Sequence, residues 1–368
     1  MSASPTATAS AALLEADNIT KVFSGGLLHR SQLTALADFS FRVSGETPSI
    51  TAIVGESGSG KTTLARLLLG LVTPTSGVVR YKGTDLQELD KEAQRAFLRD
   101  VQVIFQDPFE VYNPFYKVDH VLDTPIKNFG LANGRRARRA LMEESLGAVG
   151  LRAEETLGRF PHQLSGGQRQ RIMVARALLL RPKLIIADEP VSMVDASMRA
   201  TILGSLQKLN REFGISVVYI THDLTTAYQI SQDIIVLYRG SVAEVGNVET
   251  IVQEPQHPYT QLLVGSVPVP NPDHPWQGER ALDAPTADLT PRGESFCPFH
   301  DRCPHTMPVC VEQHPPMFRT APDRAVACYL YQESPTMPAA EMTSVITGGA
   351  GGDRGQRTGE RGQKTEAV

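Results

Sequence analysis

A glycine-rich turn between an apolar run and a helical run constrains the fold more than any other feature of this sequence. Residues 49–55 read SITAIVG and predict a buried strand, and KTTLARLLLG at 61–70 predicts a helix. The turn between them, Gly55 to Thr62, fits GxxxxGK[ST], in which backbone N–H groups wrap phosphate oxygens at a helix N-terminus. The strand–turn–helix order is the context that this motif requires. It predicts an α/β chain that binds a nucleotide.

The turn supplies candidate ligands for a nucleotide and for Mg²⁺. The ammonium of Lys61 is expected to reach the β- and γ-phosphates, and the hydroxyl of Thr62 to ligate Mg²⁺. Glycines let backbone N–H groups point inward, and the helix that follows adds partial positive charge. The other candidate ATP-binding positions are Gly55, Ser57, Gly58, Gly60 and Thr63. A flexible Gly/Ser turn that matches by chance is the alternative, and the flanking strand and helix argue against it.

Four more apolar runs of strand length follow, and helical patterns separate them. Such strands pack as a parallel sheet covered on both faces, so they predict an α/β core. Runs around the first helix predict an antiparallel β subdomain, and residues 108–180 predict a helical insert without a convincing strand. The buried runs are VQVIF (101–105), LIIAD (184–188), SVVYI (216–220) and DIIVLY (233–238).

Composition divides the chain into a core and two tails. Residues 1–12 and 334–368 are of low complexity with little to bury, so both are predicted to be disordered. Prolines become frequent after about residue 250. We therefore place a boundary there, between a nucleotide-binding domain at 13–250 and a small Cys-rich C-terminal domain at 251–333. A chain of 368 residues has room for both.

Charge and hydropathy exclude several classes of protein. A net charge of −4 and a sequence pI of about 6.2 give no basic field of the kind that nucleic-acid binding uses. No uncharged apolar run reaches about 18 residues, the length that spans a bilayer. The first residues lack the basic region and the long apolar stretch of a signal peptide. We expect a protein that stays in the cytoplasm and binds no nucleic acid.

Two carboxylates end one of the predicted strands. Asp188 and Glu189 follow the apolar run in LIIADEP, and adjacent residues of an extended chain point to opposite sides. Asp188 is expected in the Mg²⁺ shell, and Glu189 where it can polarise an attacking water as general base. His222, in THDL, follows another strand and reaches the same sheet edge. A solvated strand end and a surface histidine are the alternatives, but three strand ends beside one phosphate loop favour a site.

The stretch LSGGQRQR at 164–171 contains no carboxylate, histidine or cysteine. Ser165 is a good N-cap for the helical run that follows, and Gly166, Gly167 and Gln168 would let a phosphate approach the backbone. The chain already has one phosphate loop. A second anion-binding helix start makes sense if it serves a nucleotide that another subunit holds. A glycine-rich cap without a ligand is the alternative.

The phosphate loop, LSGGQ, Asp-Glu and a later Thr-His pair occur in the order that resembles the ATP-binding subunits of ABC transporters, over roughly residues 13–250. The resemblance implies a P-loop NTPase (RecA-like) core, a helical ABC subdomain and ATP hydrolysis. It assigns Gln106 of VIFQDP to the Q-loop, which contacts Mg²⁺ where the membrane subunit docks. Asp195 of PVSMVDA resembles the D-loop aspartate, and His222 the switch histidine on the γ-phosphate. Phe23 either stacks on adenine or is an ordinary strand-end aromatic.

The segment after residue 250 narrows the resemblance. His257-Pro258-Tyr259-Thr260, followed by QLL and prolines, is similar to the dipeptide/oligopeptide/nickel branch. That branch implies two different ATP-binding subunits, two transmembrane permease subunits and an external solute-binding protein. The chain would then be peripheral, at the cytoplasmic face of the cell membrane. Peptides, oligosaccharides and nickel stay open as cargo, because no residue here contacts it.

All four cysteines lie within 32 residues, at Cys297, Cys303, Cys310 and Cys328. A cytosolic chain is not expected to hold two structural disulfides, and four thiolates suit tetrahedral zinc or a [4Fe–4S] cluster. The spacing lacks the CxxC pairs of structural zinc, and the family resemblance favours iron–sulfur. Free or paired thiols are the third alternative.

Taken together, these features predict the ATP-hydrolysing subunit of an importer. A soluble ABC ATPase that acts on ribosomes or DNA is the rival, but such chains usually fuse two ATP-binding halves or carry a long coiled coil. This sequence has one phosphate loop and no sustained heptads. A redox-sensing module with a vestigial ATPase is disfavoured by the intact catalytic set.

Overall fold

The computed structural model describes residues 12–25, 31–106, 112–267 and 295–346. Among these residues, no helix is both long and apolar enough to cross a membrane. The strands, in chain order, are β1 (Ala12–Gly25), β2 (Ser31–Ser44), β3 (Ile50–Val54), β4 (Ser76–Tyr81), β5 (Thr84–Asp85), β6 (Val101–Ile104), β7 (Leu184–Asp188), β8 (Ser216–Thr221), β9 (Asp233–Tyr238), β10 (Ser241–Asn247), β11 (Met317–Ala321), β12 (Arg324–Val326) and β13 (Thr336–Met337). The α-helices are α1 (Lys61–Leu68), α2 (Lys91–Asp100), α3 (Asp119–Phe129), α4 (Arg135–Ala148), α5 (Ala153–Thr156), α6 (Gly166–Leu178), α7 (Ala196–Phe213), α8 (Leu224–Ile230), α9 (Val248–Gln253) and α10 (Pro258–Gly265). Short 3₁₀ helices span Pro161–Gln163, Pro308–Val311, Tyr329–Tyr331 and Ala339–Val345.

Five parallel strands form the centre of the larger sheet, in the order β9-β3-β8-β7-β6. Every residue of β3, β7, β8 and β9 is buried, as expected for strands covered on both faces. Alternate residues serve different cores: Ile50 and Val54 pack into one apolar cluster, and Ile53 into another on the opposite face. The α/β prediction is confirmed, and all five strands lie where the apolar runs predicted them.

Two subdomains flank this sheet. A smaller antiparallel sheet has the order β2-β1-β4-β5 and packs with α1 in the second apolar cluster. On the other face, α3, α4 and α6 pack together through buried residues such as Leu122, Leu146 and Ile172. Between residue 112 and β7 the described residues contain helices and no strand. The antiparallel strands and the helical insert therefore match the sequence pattern.

The C-terminal segment continues the central sheet. β10 pairs antiparallel with β9, and β12, β11 and β13 add in turn, so nine strands form one sheet. Cys297 and Phe299 belong to the same apolar cluster as Ile50 and Val54. The expected boundary at residue 250 falls within this continuous layer. The reason is physical: β10 presents an open edge, and the C-terminal strands satisfy its unpaired backbone groups.

A buried ion pair fixes this junction. The Arg324 guanidinium on β12 contacts Glu244 of β10 at 2.6 Å, and both side chains are almost fully buried. The other oxygen of Glu244 accepts a hydrogen bond from the backbone N–H of His257 at 3.0 Å. Buried charges are tolerated when they are paired and hydrogen-bonded in this way. The pair joins the C-terminal strands to the nucleotide core.

The prediction of a disordered tail is wrong for residues 334–346. There β13 pairs with β11, and the 3₁₀ helix Ala339–Val345 packs against β2 and β10. Met342 and Val345 are almost fully buried in the second apolar cluster. A few spaced apolar residues are enough to dock a segment that has no periodic pattern. The other predicted tail residues, 1–11 and 347–368, lie outside the described residues.

Candidate active site

An open cleft lies at the carboxyl ends of the parallel strands. It brings together ten of the residues that the sequence singled out, from the glycine-rich turn, the strand ends and the antiparallel sheet. Its lining includes Phe23, Leu33, Thr34, Ala35, Ser57, Gly58, Gly60, Lys61, Thr62, Thr63, Gln106, Glu189, His222 and Arg239. Ligands of open parallel sheets bind at this edge.

The glycine-rich turn needs glycine at two positions for steric reasons. Gly60 has a φ of 102°, and a Cβ there would lie 2.3 Å from the carbonyl oxygen of Ala35. A Cβ at Gly55 would lie 2.2 Å from the carbonyl oxygen of Leu237. Gly60 is also the N-cap of α1 and has no side chain to accept from the first-turn amides. These amides therefore stay available to an anion.

Lys61 lies folded over the turn. Its Nζ donates to the carbonyl oxygens of Gly55 at 2.7 Å and Glu56 at 2.9 Å, and the residue is 6% exposed. Burial lowers the pKa of Lys61, while the carboxylates of Glu189, Asp188 and Glu56 act in the opposite direction. The Nζ group lies inside the loop, where phosphate oxygens would replace the carbonyls as its partners.

Glu189 is held from two sides. The amide Nε2 of Gln106 donates to Glu189 Oε2 at 3.1 Å, and His222 Nδ1 lies 3.0 Å from Oε1. The Glu189 backbone has a φ of 46°, uncommon for a residue with a side chain, and its N–H donates to the carbonyl of Ile220 on β8. Such strain is found where a side chain must be aimed. The arrangement places a carboxylate beside the phosphate loop with its orientation fixed.

Asp188 lies one residue earlier and points elsewhere. It is 7% exposed, and its Oδ1 has no hydrogen-bond partner among the described residues. Burial raises the pKa of Asp188, as does Glu189, whereas Lys61 and a hydrogen bond with Thr62 lower it. A buried carboxylate oxygen beside a threonine hydroxyl is the donor set that Mg²⁺ prefers. The residues present therefore fit this metal.

Phe23, near the end of β1, lines the same cleft. Its ring is 42% exposed, and the Lys21 ammonium lies 5.1 Å from the ring centroid. An exposed aromatic face at the mouth of a phosphate site is suited to stacking on a base. Phe23 therefore lies at the mouth of the cleft, and its stacking on adenine stays a prediction.

The LSGGQ stretch forms a self-contained helix start. Ser165 is the N-cap of α6: its Oγ accepts from the N–H of Gln168 at 3.2 Å, and Gln168 Oε1 accepts from the N–H of Ser165 at 2.9 Å. Ser165 is exposed, and Gly167 lies against the Met198 side chain. Asp195 is exposed at the start of α7. Ser165, Gly166, Gly167, Gln168 and Asp195 do not line the cleft that the described residues form.

The four cysteines converge at the junction with the nucleotide core. Cys297, Cys303 and Cys310 are buried, and the Cys297 N–H donates to the Cys310 carbonyl at 2.7 Å. Burial raises the pKa of Cys297 to about 12 and that of Cys328 to about 11, and the neighbouring thiols add to both shifts. Among the described residues, no group of three or more histidines, cysteines or carboxylates is arranged to hold a metal. The four thiols share one neighbourhood, but no three of them are drawn together around a common metal position in the described residues.

Several residues of this region were not predicted. Arg239 lines the cleft, and Arg302 and Tyr259 both contact Glu56 of the phosphate loop. The sequence marked Tyr259 only as part of a family segment, and Arg302 lies between two cysteines without a motif of its own. Their partners are about 60 to 250 positions away, so no local pattern could have paired them.

This fold and cleft define the class of P-loop nucleotide hydrolases, and comparison with known proteins specifies the family. A family model described as "ABC transporter" matches residues 36–192, and one described as "Oligopeptide/dipeptide transporter, C-terminal region" matches residues 243–310. The oligopeptide transport ATP-binding protein AppF of Bacillus subtilis (strain 168) is 39% identical over 328 residues, 87% of this chain and 97% of AppF. The dipeptide transport ATP-binding protein DppF of Escherichia coli (strain K12) is 38% identical over 296 residues, 80% of this chain and 86% of DppF.

Comparison with a solved structure supports the same family. The dimeric, post-hydrolysis ATP-binding cassette MJ0796 bound to ADP and Pi superposes with a TM-score of 0.57 at 30% identity, covering 64% of this chain and 98% of that cassette. The chain belongs to the ATP-binding proteins of ABC transporters, which are ATPases, in the branch that carries the oligopeptide/dipeptide transporter C-terminal region. The resemblance seen in the motifs is confirmed.

Proposed function

We propose that this chain hydrolyses ATP to power an importer of di- or oligopeptides. The observation that carries the proposal is the position of Glu189, held by Gln106 and His222 at the edge of the phosphate-loop cleft. A carboxylate fixed in this way beside a γ-phosphate site is suited to polarise an attacking water. The names of relatives such as AppF and DppF support peptides as cargo in preference to oligosaccharides or nickel.

The residues that the sequence singled out around the phosphate loop divide the tasks of this reaction. The amides of residues 57–63 and Lys61 hold the phosphates, and Phe23 receives the base. Thr62, Gln106 and Asp188 would hold Mg²⁺, which neutralises charge on the phosphates when it is bound. Glu189 orients water toward the γ-phosphate, and His222 stabilises the charge that develops there.

We further propose that the site is completed by a second ATP-binding subunit. Ser165, Gly166, Gly167 and Gln168 lie outside this chain's own cleft, and the exposed Ser165 is open to a nucleotide that a partner holds. The dimeric cassette MJ0796 with ADP and Pi supports a paired arrangement. Asp195 would lie at the same interface. We expect the partner to be a different chain, as the family branch implies.

Closure of such a pair supplies the motion for transport. The helical insert moves with the nucleotide domain, and two transmembrane permease subunits dock on it. The chain is then peripheral, at the cytoplasmic face of the membrane, and an external binding protein delivers the peptide. Co-purification from native membranes with a second ATP-binding subunit and two multi-span proteins would support this assembly. Recovery with ribosomes or DNA would contradict it.

Glu189→Gln tests the catalytic assignment. This change removes the base and keeps the shape, so hydrolysis by the assembled transporter should fall by about 10²–10⁴-fold while ATP binding persists. Phosphate release and equilibrium ATP binding measure the two quantities. Glu212→Gln on α7, a solvated glutamate paired with Lys208, is the control and should hydrolyse normally. Near-normal turnover in Glu189→Gln would show that another group is the base.

A [4Fe–4S] cluster on Cys297, Cys303, Cys310 and Cys328 is a separate proposal. It is supported by the chemistry of four thiols gathered in one short segment, and not by their arrangement. Iron and zinc content, with the visible spectrum of anaerobically purified protein, decides it. Stoichiometric iron with cluster absorbance is the expected result. Protein without iron would leave zinc, if it is bound, or free thiols as the state of the segment.

A further inference from the structure

The loop between Cys297 and Cys303 lies directly against the phosphate loop. Arg302 Nη1 donates to Glu56 Oε2 at 2.9 Å, and Nη2 donates to Oε1 at 3.2 Å. Glu56 is the second residue of the phosphate loop, directly after Gly55. Two parallel bonds between a guanidinium and a carboxylate fix orientation as well as distance. Arg302, in the C-terminal segment, therefore forms a bidentate ion pair with the loop that would surround the phosphates.

The guanidinium of Arg302 is itself held in place. It lies 5.8 Å from the ring centroid of Tyr238 and 5.7 Å from that of Phe299, distances typical of cation–π contacts. Tyr238 ends β9, the strand that pairs with β3. A guanidinium carries its positive charge at all pH values of interest. Its position is thus set by the core sheet.

The backbone of Glu56 has a second support. Its N–H donates to the Tyr259 hydroxyl at 2.8 Å, and Tyr259 on α10 is fully buried. The Tyr259 ring packs against Tyr238, with centroids 4.4 Å apart, and against Phe299 at 5.6 Å. Both the main chain and the side chain of Glu56 are therefore held by residues that follow the nucleotide core in sequence.

The same loop reaches the other wall of the cleft. Arg239, which lines the cleft, donates to Asp301 Oδ2 at 2.9 Å and to the carbonyl of Pro298 at 3.0 Å. Arg239 precedes Gly240, whose N–H donates to the carbonyl of Ser59 in the phosphate loop. Residues 298–302 thus contact the phosphate loop directly and also through its neighbour.

We propose that Arg302 is a positioning residue for the phosphate loop and that the C-terminal segment thereby sets the affinity for ATP. Arg302 acts through Glu56 and does not touch the nucleotide. The proposal rests on the proposed function of residues 55–62 as the ATP phosphate site.

The positive charge of Arg302 should also affect ATP binding. Glu56 carries a negative charge beside a site for negatively charged phosphates, and an unpaired carboxylate there repels ATP. Arg302 neutralises this charge and holds it in a fixed direction. Removing Arg302 should therefore weaken ATP binding more than neutralising Glu56 does. Neutralising Glu56 should also partly restore a chain that lacks Arg302.

Equilibrium titration of the purified full chain with ATP and Mg²⁺ tests this pattern. Arg302→Ala should raise the Kd for ATP about fivefold, the factor expected for a partly exposed ion pair. Glu56→Gln should raise it less, and the double variant should bind better than Arg302→Ala alone. Arg302→Lys, which keeps the charge but not the fork, should be intermediate. In steady state, KM should rise while kcat at saturating ATP does not change.

A matched control separates positioning from general stability. The Arg80–Asp17 pair has a similar length, 2.9 Å, and similar exposure, 34% and 43% against 38% and 41% for Arg302 and Glu56. It lies between β4 and β1, so Arg80→Ala should leave the Kd for ATP unchanged. An equal rise in the Kd for ATP in Arg302→Ala and Arg80→Ala would overturn the proposal.

The remaining outcomes distinguish this proposal from the proposed function. Lys61→Ala should abolish ATP binding if residues 55–62 form the phosphate site. Loss of binding in Lys61→Ala with normal binding in both Arg302→Lys and Glu56→Gln would overturn the positioning role alone. Normal binding in Lys61→Ala would overturn the site itself. Thermal unfolding checks that each variant is folded. If Arg302→Ala does not fold, the Kd values of Arg302→Lys and Glu56→Gln decide whether Arg302 positions the loop.

Discussion

Two glycine-rich helix starts in this chain differ in how their first amides are satisfied. α6 begins at Ser165, where serine and Gln168 cap each other's backbone N–H groups. α1 begins after Gly60, which has a left-handed backbone and no side chain to act as a cap. The amides of a helix's first turn need partners. The start of α6 satisfies its own amides, whereas the start of α1 leaves its amides open to an anion.

The glycines of the two stretches also differ. Gly60 is required by the chain's own backbone, because a Cβ there meets the Ala35 carbonyl at 2.3 Å. At Gly166 the nearest atom to a Cβ is the Met193 carbonyl oxygen at 3.7 Å, an ordinary contact. Nothing in the fold of the described residues excludes a side chain at position 166. Under the proposed function, glycine is needed there because the partner subunit's nucleotide must approach the backbone closely.

Among changes at the two helix starts, Gly60→Ala should have the largest effect on the isolated chain. The left-handed backbone costs about 1–2 kcal/mol for a residue with a Cβ, and the contact with a backbone carbonyl adds to this. The loop must shift, so ATP binding by the isolated chain should fall by at least about a hundredfold, the scale on which misplaced site groups lose function. Equilibrium ATP titration and thermal unfolding measure the two losses.

Gly166→Ala is the matched variant on the other helix start. It should leave both stability and ATP binding of the isolated chain unchanged, since neither its backbone nor its neighbours exclude a methyl group. In the assembled transporter it should lower hydrolysis, because the methyl group stands where the partner's phosphate would approach. If Gly60→Ala and Gly166→Ala weakened ATP binding by the isolated chain equally, the contrast between the two helix starts would fail.

The nucleotide core could be predicted because its signals are local. The turn at residues 55–62 carries its own motif, and strands such as β7 and β8 are short runs buried on both faces. Glu189 and His222 follow these strands directly, so the parallel sheet brings them to one edge. The bond between Gln106 and Glu189 was not predicted, because the two residues are 83 positions apart.

The C-terminal segment could not be predicted in the same way. Its attachment depends on pairs such as Arg324 with Glu244, which are 80 residues apart, and Arg302 with Glu56, which are 246 apart. Strands as short as β12 and β13 carry too few residues for a periodic pattern. Proline frequency therefore suggested a separate domain where the structure has the edge of one sheet. The tail prediction failed for the same reason, since a few irregularly spaced buried side chains, such as Met342 and Val345, form no periodic pattern.

Ser165→Ala probes the cap itself, and its effect should be far smaller than that of Gly60→Ala. Loss of the bond from the Gln168 N–H to Ser165 Oγ should lower the free energy of unfolding by about 1 kcal/mol, the usual cost of an N-cap. Asp90→Ala is the control, because Asp90 caps α2 through a bond of 2.7 Å to the Ala93 N–H, away from the cleft. Denaturant unfolding should show similar losses for both variants, whereas only Ser165→Ala should slow ATP hydrolysis in the assembled transporter, where the hydroxyl would face a partner's phosphate. Equal hydrolysis in the two variants would mean that the LSGGQ serine is a structural cap and nothing more.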